Sequence, residues 1–67
     1  MAKIQLNGKN IVLKPSFSIS DLLKKYHLLG KKIAVEYNGK ILPRKNYKKK
    51  YLKNNDKIEI VHFIGGE

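Results

Sequence analysis

The residues with the most specific chemical use stand at the end of this sequence. Phe63 is followed by Ile64-Gly65-Gly66-Glu67. Paired glycines lose more conformational freedom on ordering than other residues, so they are poor at continuing a strand. They suit an arm that projects from a folded body, and an arm without side chains can thread a narrow channel in a partner. The expected division is a folded domain over 1–64 and a flexible Gly-Gly tail over 65–67. A carboxyl group at Gly66 would be the one activatable carboxyl carried on such an arm. As the sequence is written, the Gly66 carbonyl is joined to Glu67 in an amide bond.

The remaining candidates are less specific. His27 and His62 are the only histidines, and the five carboxylates are scattered along the chain. A metal site needs more ligands than that, so surface histidines are the simpler reading and no metal is expected. Tyr47 and Tyr51 would share a face if their segment were helical. They could stack on bases, but a lid over the lower core is the better account. No glycine-rich phosphate loop follows a strand, and no Ser-His-Asp set assembles, so no catalytic residue is assigned.

Composition points the same way. A chain of 67 residues forms one domain, and at this size only about 60 % of the unfolded surface is buried. A substrate pocket on the order of 300 Å³ would use up much of such a core, which argues against a stand-alone enzyme. There is no cysteine, which excludes disulfides and thiolate metal sites and favours a cytoplasmic location. The segment 1–13 contains no continuous apolar run that could be a signal peptide or a membrane span. The net charge is +10, yet fourteen of the fifteen cations are Lys and only Arg44 is Arg. A basic surface attracts phosphate, but specific base and phosphate recognition favours the arginine fork. The lysines are therefore read as coding bias, alongside the abundant Asn and Ile, and no specific nucleic acid is expected.

The elements that must position the tail follow from local patterns. Lys3 to Leu6 alternates as a half-buried strand, Asn7-Gly8 marks a hairpin, and Ile11 to Leu13 returns. Pro15 ends that pairing. A helix starts near Ser18-Ile19-Ser20-Asp21, with Ser18 or Ser20 as cap and Asp21 at the positive end of the dipole. Its apolar face is Ile19, Leu22, Leu23 and Tyr26, and Gly30 closes the region. Ile33, Val35 and Tyr37 form a strand, Asn38-Gly39 turns, and Ile41-Leu42 returns to a sheet edge ended by Pro43. Lys45 to Leu52 is irregular or a short helical turn, and Asn54-Asn55-Asp56 is a turn. Lys57 to Phe63 is the last strand, with Ile58 and Ile60 on the core face and Val61 and Phe63 opposite. This order predicts an α+β fold of the β-grasp (ubiquitin-like) type, with a mixed sheet of about five strands. One main helix packs on one face and the last strand lies centrally. The expected core is Ile4, Leu6, Leu22, Leu23, Val35, Ile58 and Ile60.

Over nearly its whole length the sequence resembles the ThiS family, the sulfur carriers of thiamine biosynthesis. The matching stretches are 4–9, Asp21-Leu22-Leu23, 33–39, Leu42-Pro43-Arg44, 55–61 and Phe63-Ile64-Gly65-Gly66. Their order, their spacing and the near-terminal Gly-Gly together carry the likeness. The family ends at the second glycine, so Glu67 is a departure; it would have to be trimmed, be added, or be a native variation.

The resemblance implies a protein cosubstrate rather than an enzyme. In the family an E1-like adenylating enzyme (ThiF type) uses ATP and Mg²⁺ to adenylate the terminal glycine. A persulfide, such as that of a cysteine desulfurase, then supplies sulfur, and thiazole synthase (ThiG type) consumes the thiocarboxylate. Carried onto this chain, Gly66 bears the sulfur, Gly65 and Gly66 form the tail, and Phe63 and Ile64 dock the partners. The carrier itself binds no cofactor. Two other readings remain open: a related carrier, such as a molybdopterin synthase small subunit or ubiquitin-like modifier, and a basic nucleic-acid-binding β-grasp module.

Overall fold

Two left-handed turns frame the chain. Asn7 and Gly8 have φ of 48° and 83°, and Asn38 and Gly39 have φ of 51° and 89°, the conformation a two-residue hairpin turn requires. The computed structural model of the chain describes residues 1–30 and 32–62. The first turn joins β1 (Ala2–Leu6) to β2 (Lys9–Leu13), and the second joins β3 (Ile33–Tyr37) to β4 (Lys40–Leu42). The helix α1 (Ile19–Lys25) lies between the hairpins, and β5 (Lys57–His62) follows a 3₁₀ turn at Arg44–Asn46.

The sheet order is β2-β1-β5-β3-β4. β5 pairs parallel with β1 and antiparallel with β3, so the last strand is central, as expected from its apolar alternation. The helix contributes Ile19, Leu22 and Leu23 to a core shared with Ile4, Val35, Ile58 and Ile60. This is the expected mixed five-stranded β-grasp sheet. Leu6 is only partly buried, while Leu13, Leu52 and Tyr47 join the core. No helix among the described residues is long and apolar enough to cross a membrane.

The helix begins as the sequence suggests and ends differently. Ser18 Oγ accepts from the Asp21 N–H at 3.0 Å, and the Asp21 carboxylate accepts from the Ser18 N–H at 3.0 Å, a reciprocal capping box. At the other end Leu28 N–H donates to the Leu23 carbonyl at 2.7 Å and His27 N–H to that of Lys24 at 3.1 Å. His27 sits in the left-handed region at φ 61°. These two bonds close a Schellman motif, so His27 stops the helix rather than Gly30. Tyr26 is the C-cap and is 39 % exposed, not part of the apolar face.

The segment after β4 corrects the pairing of its tyrosines. Tyr47 is 7 % exposed and lies in the core, whereas Tyr51 is 52 % exposed. Main-chain bonds explain the split. The Tyr47 carbonyl accepts from Ser20 N–H at 3.0 Å, and the Lys50 carbonyl accepts from Ile19 N–H at 2.9 Å. The segment is thus laced to the start of α1, and Tyr47 and Tyr51 do not share a face.

Candidate functional site: the strand that leads to the tail

β5 is the strand that precedes the C-terminal glycines in the sequence, and it is held by more than its ladders. Asn7 Oδ1 accepts from the Ile60 N–H at 2.7 Å, and Asn7 Nδ2 donates to the Ile60 carbonyl at 3.4 Å. From the other side, Asn38 Oδ1 accepts from the Lys57 N–H at 2.7 Å, and the Asn38 N–H donates to the Lys57 carbonyl at 2.8 Å. Each hairpin turn therefore uses its asparagine twice. The backbone tolerates positive φ, and the carboxamide, which mimics a peptide group, grips the central strand.

A second anchor fixes the entrance of β5. Asp56 is 7 % exposed, and burying a carboxylate is costly unless hydrogen bonds compensate it. It accepts from Tyr37 OH at 2.5 Å, from Asn38 Nδ2 at 3.2 Å and from Lys53 N–H at 2.8 Å. Burial, and then the hydrogen bond to Asp56 and its negative charge, push the Tyr37 hydroxyl up from 10.0 to about 12. The Lys50 ammonium lies 4.5 Å from the centre of the Tyr37 ring, a cation–π contact. The sequence identified Asn7, Asn38 and Asp56 as turn residues only. Their second role had a signal in residue type, a free amide or carboxyl in a tight turn, but no signal for the partner.

The sequence-derived site residues fall in two groups. Phe63, Ile64, Gly65 and Gly66, and with them the division at 64/65, lie outside the described residues. His62 closes β5 opposite Ile33 and is exposed, while His27 follows the C-cap Tyr26 at the end of α1. Among the described residues no three His, Cys, Asp or Glu side chains form a group able to hold a metal ion. One open concavity beside β5 is lined by polar residues, among them Lys3, Asn10, Asp56 and Lys57, and by the apolar Ile4.

Known proteins resemble this chain in sequence and in fold. The sulfur carrier protein ThiS of Bacillus subtilis is 44 % identical over 64 residues, covering 94 % of this chain and 97 % of that one. The thiazole synthase of Paramagnetospirillum magneticum is 36 % identical over 64 residues; the match covers 96 % of this chain but only 20 % of that longer protein. The crystal structure of the thiamine biosynthesis protein ThiS from Geobacter metallireducens superposes with a TM-score of 0.83 at 26 % identity, covering 97 % of this chain and 99 % of that one. The ThiS family profile matches residues 3–66. On that match, and on the shared fold, this chain belongs to the ThiS family.

Proposed function

We propose that this chain is a sulfur carrier of thiamine biosynthesis and that its reactive group is the Gly66 carboxylate. The observation that supports this most is the extent of the family match, which runs from residue 3 and ends on Gly66, one residue before Glu67. The chemistry follows from what a glycine carboxylate lacks. A carboxylate is a poor electrophile, so it is first joined to AMP by an adenylating enzyme that brings ATP and Mg²⁺. A persulfide sulfur, as from a cysteine desulfurase, displaces AMP to give an acyl disulfide; a second thiol then attacks the donor's sulfur, forming a disulfide and releasing the thiocarboxylate. That group is a good sulfur nucleophile for the thiazole-forming enzyme.

The chain's own part is to present the carboxyl. β5, held by Asn7, Asn38 and Asp56, is a fixed base for the sequence that follows it, in which Gly65 and Gly66 carry no side chain. Phe63 and Ile64, the apolar residues that precede the two glycines in the sequence, are suited to docking a partner. A thiazole synthase that contains a stretch similar to 96 % of this chain supports a thiazole synthase as the partner that takes the sulfur. The chain is a cosubstrate in this scheme and binds no cofactor.

Gly66 can be adenylated only when its carboxyl is free, so Glu67 must be removed first. The intact mass of the protein isolated from its native cell tests this. The expected species lacks Glu67 and, in part, carries sulfur in place of one oxygen. A sulfur-bearing species that still includes Glu67 would place the chemistry elsewhere.

A further inference from the structure

The two hairpin turns carry the same tripeptide. Asn7-Gly8-Lys9 and Asn38-Gly39-Lys40 each place an exposed asparagine at positive φ before a glycine. The other four asparagines precede residues that have a side chain. An asparagine before glycine is open to attack by its own main chain, because the next residue has no Cβ to hinder the approach. The glycine nitrogen bonds to the asparagine Cγ, and Nδ2 leaves as ammonia with the proton that the glycine nitrogen gives up. Water then opens the resulting cyclic imide. Cleavage of the Cγ–N bond leaves aspartate. Cleavage of the bond to the main-chain carbonyl carbon leaves isoaspartate, whose main chain is longer by one methylene.

Alike in sequence, the turns differ in what surrounds the carboxamide. Both Oδ1 atoms accept a β5 N–H at 2.7 Å, Asn7 from Ile60 and Asn38 from Lys57. The amide nitrogens do not match. Asn7 Nδ2 faces the neutral Ile60 carbonyl at 3.4 Å, whereas Asn38 Nδ2 lies 3.2 Å from the Asp56 carboxylate. Two effects of that carboxylate oppose reaction at Asn38. A hydrogen bond to a charged acceptor is stronger than one to a neutral acceptor, so the carboxamide leaves its place less often. Negative charge also develops on Oδ1 as the glycine nitrogen adds, and an anion beside it raises the energy of that state. Asp56 is 7 % exposed, so salt and water screen it little.

We infer that Asn7-Gly8 is a site of spontaneous deamidation in the folded chain, and that Asp56 shields Asn38-Gly39 from the same reaction. The products also fit the two turns unequally. An aspartate at position 7 still accepts from the Ile60 N–H, and only the donor to the Ile60 carbonyl is lost. An aspartate at position 38 sets its carboxylate against that of Asp56, where an amide donor now stands. Isoaspartate fits neither place, since a two-residue turn closes only at its normal main-chain length. At Asn7 it releases the grip on Ile60 and leaves the Asp56 anchor intact. Deamidation at this site does not depend on the carrier reading.

The test holds the full chain folded at mildly alkaline pH and, in parallel, unfolded in concentrated urea. Peptide mass spectrometry follows the exchange of amide for carboxyl at each asparagine. In urea the two Asn-Gly-Lys segments should convert at the same rate. In the folded chain Asn7 should convert about tenfold faster than Asn38, the ratio that a charge-assisted bond in place of a neutral one corresponds to. Aspartate introduced directly checks the surroundings: Asn7→Asp should melt close to the parent, and Asn38→Asp distinctly below it. Folded-state rates that are equal, or faster at Asn38, would overturn the assignment, as would an Asn7 that stays intact while the urea sample converts fully. A tenfold difference that persists in urea would place its cause in local sequence and remove the shielding. An Asn38→Asp midpoint equal to the parent's would remove the role given to Asp56.

Discussion

The Tyr37 hydroxyl donates to the Asp56 carboxylate across 2.5 Å, tying the end of β3 to the turn that launches β5. The hydroxyl's pKa is raised in the folded chain from 10.0 to about 12. A raised value means that the folded state favours the protonated hydroxyl. Its contribution is therefore fully present below pH 10 and is lost as pH rises through 12. Tyr37→Phe removes the bond at every pH and should cost about 1–2 kcal/mol near neutrality. Urea midpoints for the two proteins should differ by a constant amount up to pH 10 and converge by pH 12. A gap that persists at pH 12 would show that the hydroxyl is not the source of the difference.

Asn38 should be among the least replaceable residues outside the core. Asn38→Ala removes the acceptor for Lys57 N–H and the donor to Asp56, and it places a non-glycine, non-asparagine residue at φ 51°. The combined loss is about 2–3 kcal/mol. Asn38→Gly relieves the backbone cost but not the hydrogen bonds, so its midpoint in denaturant should fall between parent and alanine variant. The same order for Asn7→Gly and Asn7→Ala would show that the two hairpins grip β5 alike.

His27 offers a stabilising change. It holds the left-handed position of the helix stop at φ 61° with its ring exposed. Glycine adopts that conformation without a Cβ penalty, so His27→Gly should gain about 0.5–1 kcal/mol. Calorimetric melting of the two proteins checks it. A lower midpoint would mean that the imidazole makes a contribution the geometry does not account for.

The tail should tolerate least of all. With Glu67 removed, the chain is expected to gain sulfur when mixed with its adenylating enzyme, ATP and a persulfide source. Gly66→Ala in that chain should slow the reaction by about two orders of magnitude, because a misplaced reacting group can cost that much, while far-ultraviolet circular dichroism and melting stay as in the parent. Lys49→Ala, which leaves both glycines untouched, should retain nearly full conversion. Equal rates for Gly66→Ala and the parent would remove the requirement for a side-chain-free terminus.

Much of the fold was legible because its signals are local. Asn-Gly turns, the Ser18–Asp21 cap and the alternation of Ile58 and Ile60 each depend on a few neighbouring residues, and the structure keeps all of them. The centrality of β5 was legible for the same reason, since a strand with alternate residues this apolar must bury them. The Gly65-Gly66 pair is a property of the sequence and needs no fold to be read; the division at 64/65 lies outside the described residues.

What only the tertiary structure decided depends on register and on partners distant in sequence. Asp56 reads as a turn residue until Tyr37, nineteen positions away, is brought to its carboxylate. Tyr47 and Tyr51 look equivalent until main-chain bonds to α1 turn one into the core and leave the other in solvent. Gly30 carried the stronger local signal for a helix stop, yet His27 provides it, because α1 ends where Leu28 bonds back to Leu23. Glu36 and Glu59, twenty-three residues apart in the sequence, become neighbours only through the pairing of β3 with β5. A one-residue shift of that register would move each side chain to the other face, and it is the burial of Ile58 and Ile60 against α1 that holds the register and so sets the two charges together.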